Sequence, residues 1–242
     1  MVKSFWRPIR DGGLTRCLPS QAPSPARVRR GSVVPTGPTG EAMNREQAIT
    51  LLNKHRSGDE SWCAHCFHVS TAARRLAELI SHQGHPVDLE KVTVLGMIHD
   101  LGRSRGHTIR HGVEGYVLAQ AEGFEEEGRI CLAHILKGRT LQQGVSLGML
   151  TEAEEMQFGQ NVYWTGSTSL EERIVILADA LMSETGLATI QQKYANARRR
   201  YGGQPHHYED EAWVKGVAAE IERLLGMSPH DALQELGDDL LR

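Results

Sequence analysis

From Asn44 onward the apolar positions of this chain recur every three to four residues, the spacing of helices with one buried face. Asn44, with Gln47 three residues on, predicts the start of a helix that reaches about Arg56. A second helix runs from about Ser61 to His82 and is stopped by Gly84-His85-Pro86. Asp88 caps a third, almost wholly apolar, that ends at His99-Asp100. Helices over Thr108–Glu122 and Glu125–Lys137 follow, each closed by a glycine, Gly123 and Gly138. Residues 138–168 are less regular, with one helix near Thr151–Gln160. Ser169-Leu170-Glu171-Glu172 matches a capping box for a helix carrying Asp179, and a basic helix, Q-Q-K-Y-A-N-A-R-R-R, comes next. Tyr208–Leu225 and Pro229–Leu240 close the chain, with Ser228 as the last cap. No strand periodicity and no internal repeat is visible. The expected fold is all-α, a helical bundle in one domain over residues 44–242.

Residues 1–43 break this pattern. They hold six of the nine prolines and a net charge of +5, against −8 for the rest of the chain. Such a segment lacks the apolar surface to fold, so a disordered N-terminal tail is expected. It has no apolar core region of a secretory signal. An organelle transit peptide, or translation begun upstream of Met43, would also explain its composition. No run of about 18 apolar residues suggests a membrane span. The overall net charge of −3 argues neither for nor against nucleic acid. Four cysteines at 17, 63, 66 and 131 offer no second Cys-x-x-Cys pair beside Cys63–Cys66, and free thiols suit a reducing, cytoplasmic setting.

The chemistry lies in polar residues set among apolar ones. His99 and Asp100 close the run V-T-V-L-G-M-I-H-D-L-G-R, Val92–Arg103, and Asp179 sits inside I-V-I-L-A-D-A-L-M, Ile174–Met182. A buried unpaired carboxylate costs several kcal/mol, so each aspartate needs a partner or a metal. With His65 upstream, they form an ordered set of metal ligands spread over three helices, the means by which a helical domain builds a hydrolytic metal centre.

The same stretches resemble the HD superfamily of metal-dependent phosphohydrolases over roughly Asn44–Thr185. H-C-F-H-V-S-T-A-A-R-R-L-A-E, His65–Glu78, is similar to the family's first motif in the register that makes His65 the ligand. H-D-L-G-R is similar to its His-Asp-Ile-Gly-Lys motif, with Leu101 and Arg103 as the replacements. The resemblance implies a helical bundle with the metal site at its centre. Members with two ions carry two further histidines between the His-Asp pair and the last aspartate. His111, in H-G-V-E-G-Y-V-L, and His134, in I-C-L-A-H-I-L-K, stand in that interval. The six ligands then implied are His65, His99, Asp100, His111, His134 and Asp179, with Asp100 bridging. One or two divalent ions per chain are expected, of iron, manganese, cobalt or nickel, with magnesium or zinc also compatible. Two ions about 3.5–4 Å apart hold a bridging hydroxide and clamp a phosphate in line.

Within this resemblance Asp100 and Arg103 are the catalytic candidates, Arg103 as a guanidinium for the phosphate alone. Arg105, His107 and Arg110 are candidates for the same mouth, His68 for a place behind His65, and Tyr163 or Trp164 for stacking on a base. Arg198–Arg200 read better as a solvated helix face than as a polyphosphate clamp. The expected function is hydrolysis of a phosphoester, of a nucleotide or related small molecule, by metal-activated water, with no membrane or nucleic-acid partner. Two alternatives stand beside it: a metal-binding regulatory domain without turnover, and a binuclear-iron oxygenase. Compact binuclear members include symmetrical diadenosine-tetraphosphate hydrolases. This chain departs from them in the 12-residue gap from His99 to His111 and in A-L-M-S-E after Asp179, so their substrate is not carried over.

Overall fold

Side-chain caps fix where most helices begin. In the computed structural model, which describes residues 42–56, 61–161, 164, 167–183 and 186–234, helix α1 (Arg45–His55) opens at Asn44, and the Asn44–Gln47 capping box is complete. Helix α2 (Ser61–His82) follows, then α3 (Leu89–Ile98) from the Asp88 cap, and a short 3₁₀ turn at Leu101–Ser104. Helices α4 (His111–Ala121) and α5 (Glu125–Leu136) come next; Lys137 ends α5 in the left-handed region, followed by Gly138 at φ 79°. Capping boxes at Thr140, Thr151, Ser169 and Thr189 start α6 (Leu141–Ser146), α7 (Glu152–Gly159), α8 (Leu170–Leu181) and α9 (Ile190–Tyr201). Helices α10 (Pro205–Leu225) and α11 (Pro229–Gln234) complete the described chain.

The all-α expectation holds, with local differences. Two two-residue strands, β1 (Met182–Ser183) and β2 (Gly186–Leu187), pair antiparallel between α8 and α9. Strands this short carry no period-2 signal. Helix α6 lies in the stretch read as irregular; six residues are too few to show helical periodicity. Helix α10 starts three residues before Tyr208, because Pro205 is placed at its first turn. Of the expected tail, residues 1–41 lie outside the described residues, as do 235–240 of the last predicted helix. Met43, assigned to the tail, is instead buried, and its amide donates to Glu127 Oε1 at 2.7 Å. All described residues belong to one compact unit. No helix among them is long and apolar enough to cross a membrane.

Helix α2, about 33 Å long at 1.5 Å per residue, is the central strut. Its buried side includes Cys66, Val69, Ala73, Leu76 and Ile80, packed along α3 and α8. Helix α3 is buried over its whole C-terminal part, Val92–Ile98, which explains its unbroken apolar run. Gly96 lets α3 approach α2 so closely that a Cβ there would stand 2.6 Å from Ser70 Cα. Gly102 does the same for the 3₁₀ turn against α4: a Cβ would lie 1.9 Å from His111 O and 2.4 Å from Gly115 N. These approaches draw the end of α3 and the start of α4 to one place.

Replacing Gly102 by alanine must therefore push α4 outward, and a loss of more than about 3 kcal/mol is expected from overpacking against backbone. Gly216→Ala, at an exposed position of α10 with nothing within 4 Å of the new methyl, should instead gain about 0.5–1 kcal/mol. Paired denaturant melts of the two variants check this.

Candidate metal centre

Five helix ends converge on one point, and each delivers a polar side chain. His65 comes from near the start of α2, His99 and Asp100 from the end of α3, His111 from the first position of α4, His134 from the last turn of α5, and Asp179 from the last turn of α8. Three of these ends are C-terminal, where helix carbonyls favour a cation.

The six residues fall into two groups, His65–His99–Asp179 and Asp100–His111–His134, each with its ligand atoms within 4.8 Å of one another. In the first, His65 Nε2 lies 3.0 Å and His99 Nε2 3.9 Å from Asp179 Oδ1. In the second, Nε2 of His111 and of His134 lie 3.2 and 3.3 Å from Asp100 Oδ1. Asp100 joins them: its Oδ2 faces the first group, 3.6 Å from His99 Nε2 and 4.0 Å from His65 Nε2. The second group is the more enclosed. Side-chain exposures are 1, 9 and 4 % for Asp100, His111 and His134, whereas in the first group His99 is at 0 % but His65 and Asp179 reach 15 and 17 %. The mouth is therefore on the side of the first group.

Backbone carbonyls set the histidine tautomers. Nδ1 of His99 donates to Gly96 O at 2.8 Å, that of His111 to Thr108 O at 2.6 Å, and that of His134 to Ile130 O at 3.2 Å. A carbonyl only accepts, so the ring proton sits on Nδ1 and a bare Nε2 is presented to the centre. Nε2 of His111 and His134 then face each other at 2.9 Å, two lone pairs beside a carboxylate oxygen. His99 Nε2 and Asp100 Oδ1 are buried with no hydrogen-bond partner among the described residues. Such orphans cost about 1–3 kcal/mol each. The bare Nε2 atoms of His99, His111 and His134, converging with the oxygens of Asp100 and Asp179, fit divalent metal ions, of a kind the donors alone do not fix.

Burial and the charges gathered at the centre act against each other. Burial pushes His99 down to about 4, against the pull of Asp100 and Asp179, and lowers His134 as well. Burial alone would raise both aspartates. The neighbouring histidines instead hold Asp100 well below the usual carboxylate range, and Lys193, with His65 and His99, does the same for Asp179.

Around the centre the other candidates separate. Arg103, expected to meet only phosphate, also donates from Nε to Asp100 Oδ2 at 2.5 Å, because the 3₁₀ turn sets it over Asp100. Its Nη1 lies 3.5 Å from His107 Nδ1. Arg110 does not line the mouth freely. It makes a two-pronged pair with Glu154 at 2.6 and 2.8 Å, which holds Glu154 down at about 2. Arg105 lies 3.8 Å from Glu114. Trp164 packs against the core with the Arg129 guanidinium 5.2 Å from its ring, which argues against base stacking, and Tyr163 lies outside the described residues. Arg198 pairs with Glu211 and lies over Tyr208. Cys63 and Cys66 are buried free thiols outside both ligand groups, and burial pushes the Cys66 thiol up. His68 stands half-buried one turn after His65.

One neighbour was not singled out in the sequence. Lys193, in α9, bonds Asp179 O at 2.8 Å, Met182 O at 2.9 Å and Asp179 Oδ1 at 3.2 Å. Its sequence signal is a lysine among the glutamines at the start of a polar, basic helix, 14 residues after its partner.

Comparison with known proteins gives the family through one match. A family model described as HD domain matches residues 63–183. An uncharacterized protein of Methanocaldococcus jannaschii is 34% identical over 161 residues, covering 66% of this chain and 88% of that protein. A tRNA (cytidine(56)-2'-O)-methyltransferase of Picrophilus torridus is 25% identical over 157 residues, covering 63% of this chain but 41% of the enzyme. No solved structure matches the chain.

Elemental analysis of the purified chain is expected to give two divalent ions at saturation and one after His134→Ala; one ion in both proteins would refute the second position. In the chelator-stripped chain, His99 is about 4 when folded and 6.5 in its free form, so the unfolded state takes up the proton first. Stability should then fall as pH drops from about 6.5 to about 4, by up to about 3 kcal/mol. Denaturant melts across that window, compared with His99→Gln, which should lose much of the slope, check the origin.

Proposed function

The chain belongs to the HD domain family, a superfamily of metal-dependent hydrolases, and from this premise we propose that it hydrolyses a phosphoester of a nucleotide or related small molecule. The observation that carries the reading is the Asp100 carboxylate, with one oxygen toward each of two three-residue ligand groups. Bound divalent ions supply an acidified water as nucleophile and Lewis acidity toward phosphoryl oxygens.

The protein's own groups divide the remaining work. His65, His99 and Asp179 would hold one ion and His111 and His134 the other, with Asp100 between them. The Nδ1 bonds to backbone keep the rings in place and their Nε2 atoms unprotonated. Burial of His99, Asp100 and His134 excludes water behind the centre, which strengthens every charge interaction within it. At the open side, Arg103 is oriented by its Nε bond to Asp100, which leaves its Nη groups to meet the phosphate and the charge that develops in transfer. His107 stands beside Arg103 at this mouth.

No separate serine or cysteine nucleophile is required, and the buried thiols of Cys66 and Cys131, their ionisation suppressed by burial, are unsuited to that role. The name of the Picrophilus torridus relative does not set the substrate, since the match covers 41% of that enzyme.

Phosphate release should be found in a screen over nucleotides and simple phosphoesters with manganese, iron or cobalt, and should not depend on oxygen. Asp100→Ala is expected to abolish it together with metal binding. Arg103→Ala should keep two ions and slow turnover by about 10²–10³-fold, the usual cost of one charged donor to the transition state. Silence of the wild-type protein across the whole screen would count against hydrolysis, and an Arg103→Ala enzyme as fast as wild type would remove Arg103 from the mechanism.

A further inference from the structure

Lys193 stands apart from every other basic residue near the centre. An ammonium has three donors, and Lys193 directs all three to the last turn of α8 and the residue after it: Asp179 O, Met182 O and Asp179 Oδ1. The first two are carbonyls at the end of α8, the first of which also accepts from Met182 N. The third is the oxygen that stands 3.0 Å from His65 and 3.9 Å from His99. No donor is left over for substrate, so this lysine does not act as a phosphate clamp.

Its own position is fixed from several sides. The β1–β2 pair reverses the chain after α8, and Ala188 N donates back to Leu181 O at 2.8 Å. The Thr189 capping box then starts α9, and Tyr194, next to Lys193, is buried. The ammonium is thus delivered to Asp179 by a held helix rather than by a free surface side chain.

We infer that Lys193 is a positioning residue of the metal centre: by bridging the end of α8 to the Asp179 carboxylate, it holds that carboxylate facing His65 and His99. The inference rests on the metal reading of the site. Two effects of the lysine oppose each other. Its charge disfavours a cation at the same carboxylate, whereas its hydrogen bonds preorganise the ligand. The charge is offset where it stands, by Asp179 itself and by two carbonyls at the negative end of α8, so the orienting effect governs. Partners of ligating carboxylates commonly set metal affinity by about 10–100-fold.

The test uses the full chain with manganese(II) as the probe, free ion being read by electron paramagnetic resonance. In a His134→Ala background, which retains the His65–His99–Asp179 group, Lys193→Met should weaken binding by about 10–100-fold, and Lys193→Arg should recover part of the loss. In a His65→Ala background, which retains Asp100, His111 and His134, Lys193→Met should leave affinity unchanged. Unchanged or tighter binding in the first background overturns the inference, and so does equal weakening in both, which would mean general loosening of the fold. Melting of the metal-free protein should fall by only about 2–4 °C, the effect of roughly 1 kcal/mol in a domain of this size. If Lys193→Met does not fold, Lys193→Gln, which keeps a donor without the charge, is measured in the same way, with weaker binding again expected only in the first background. A wild-type chain that binds no manganese would instead overturn the metal reading itself, and with it this role.

Discussion

A carboxylate buried to 1 % exposure, with four imidazoles around it, is the constraint on which the rest of the structure depends. Asp100 cannot be solvated, and one of its oxygens has no hydrogen-bond partner among the described residues. Its charge must be met inside the protein, and the basic partner the fold sets on it is the Arg103 guanidinium at Oδ2. The three backbone carbonyls that take the Nδ1 protons of His99, His111 and His134 are as much a part of its surroundings as the rings. They decide which nitrogen faces Asp100 and leave it without a proton.

Convergence of this kind requires close packing of backbones. From Val92 to Ile98 helix α3 is buried because α1, α2, α5 and α8 pack on it, and two polar residues follow it because its end is where helix ends meet. Gly96 and Gly102 allow the approach, the first against Ser70 and the second against the start of α4. A side chain at Gly102 would displace His111, so the glycine after His-Asp-Leu is a packing requirement of the centre rather than a source of flexibility.

The centre is unequal in its two halves. Asp100 Oδ1, His111 and His134 are enclosed, whereas His65, Asp179 and Arg103 border solvent. Both carboxylates on the open side already carry a fixed basic partner, Arg103 on Asp100 Oδ2 and Lys193 on Asp179 Oδ1. In the hydrolysis proposed above, substrate would meet a rim whose charges are mutually oriented before it arrives, the condition under which electrostatic stabilisation is largest.

Local chemistry was legible in the sequence. The capping residues Asn44, Asp88 and Ser169, the apolar periodicity of α2 and α8, and the unbroken apolar run of α3 set helix type and the starts of those helices, because caps and periodicity act over three or four residues, whereas α4 begins at His111 and α10 at Pro205, each three residues from the expected start. His99, Asp100 and Asp179 could also be named, since an ionisable residue in an apolar stretch has to be compensated, whereas His65, His111 and His134 were added by the resemblance of the chain to the HD superfamily. What only the tertiary structure decided is which partner does the compensating. That Asp179 meets Lys193, that Arg110 is taken by Glu154 44 residues away, and that Arg103 turns back onto Asp100 are outcomes of chain reversals and helix approaches. The strands β1 and β2 and helix α6 belong with them, being too short for any period to register. Sequence reports the need of a buried charge for a partner; the partner is set by distances between residues that the local pattern does not relate.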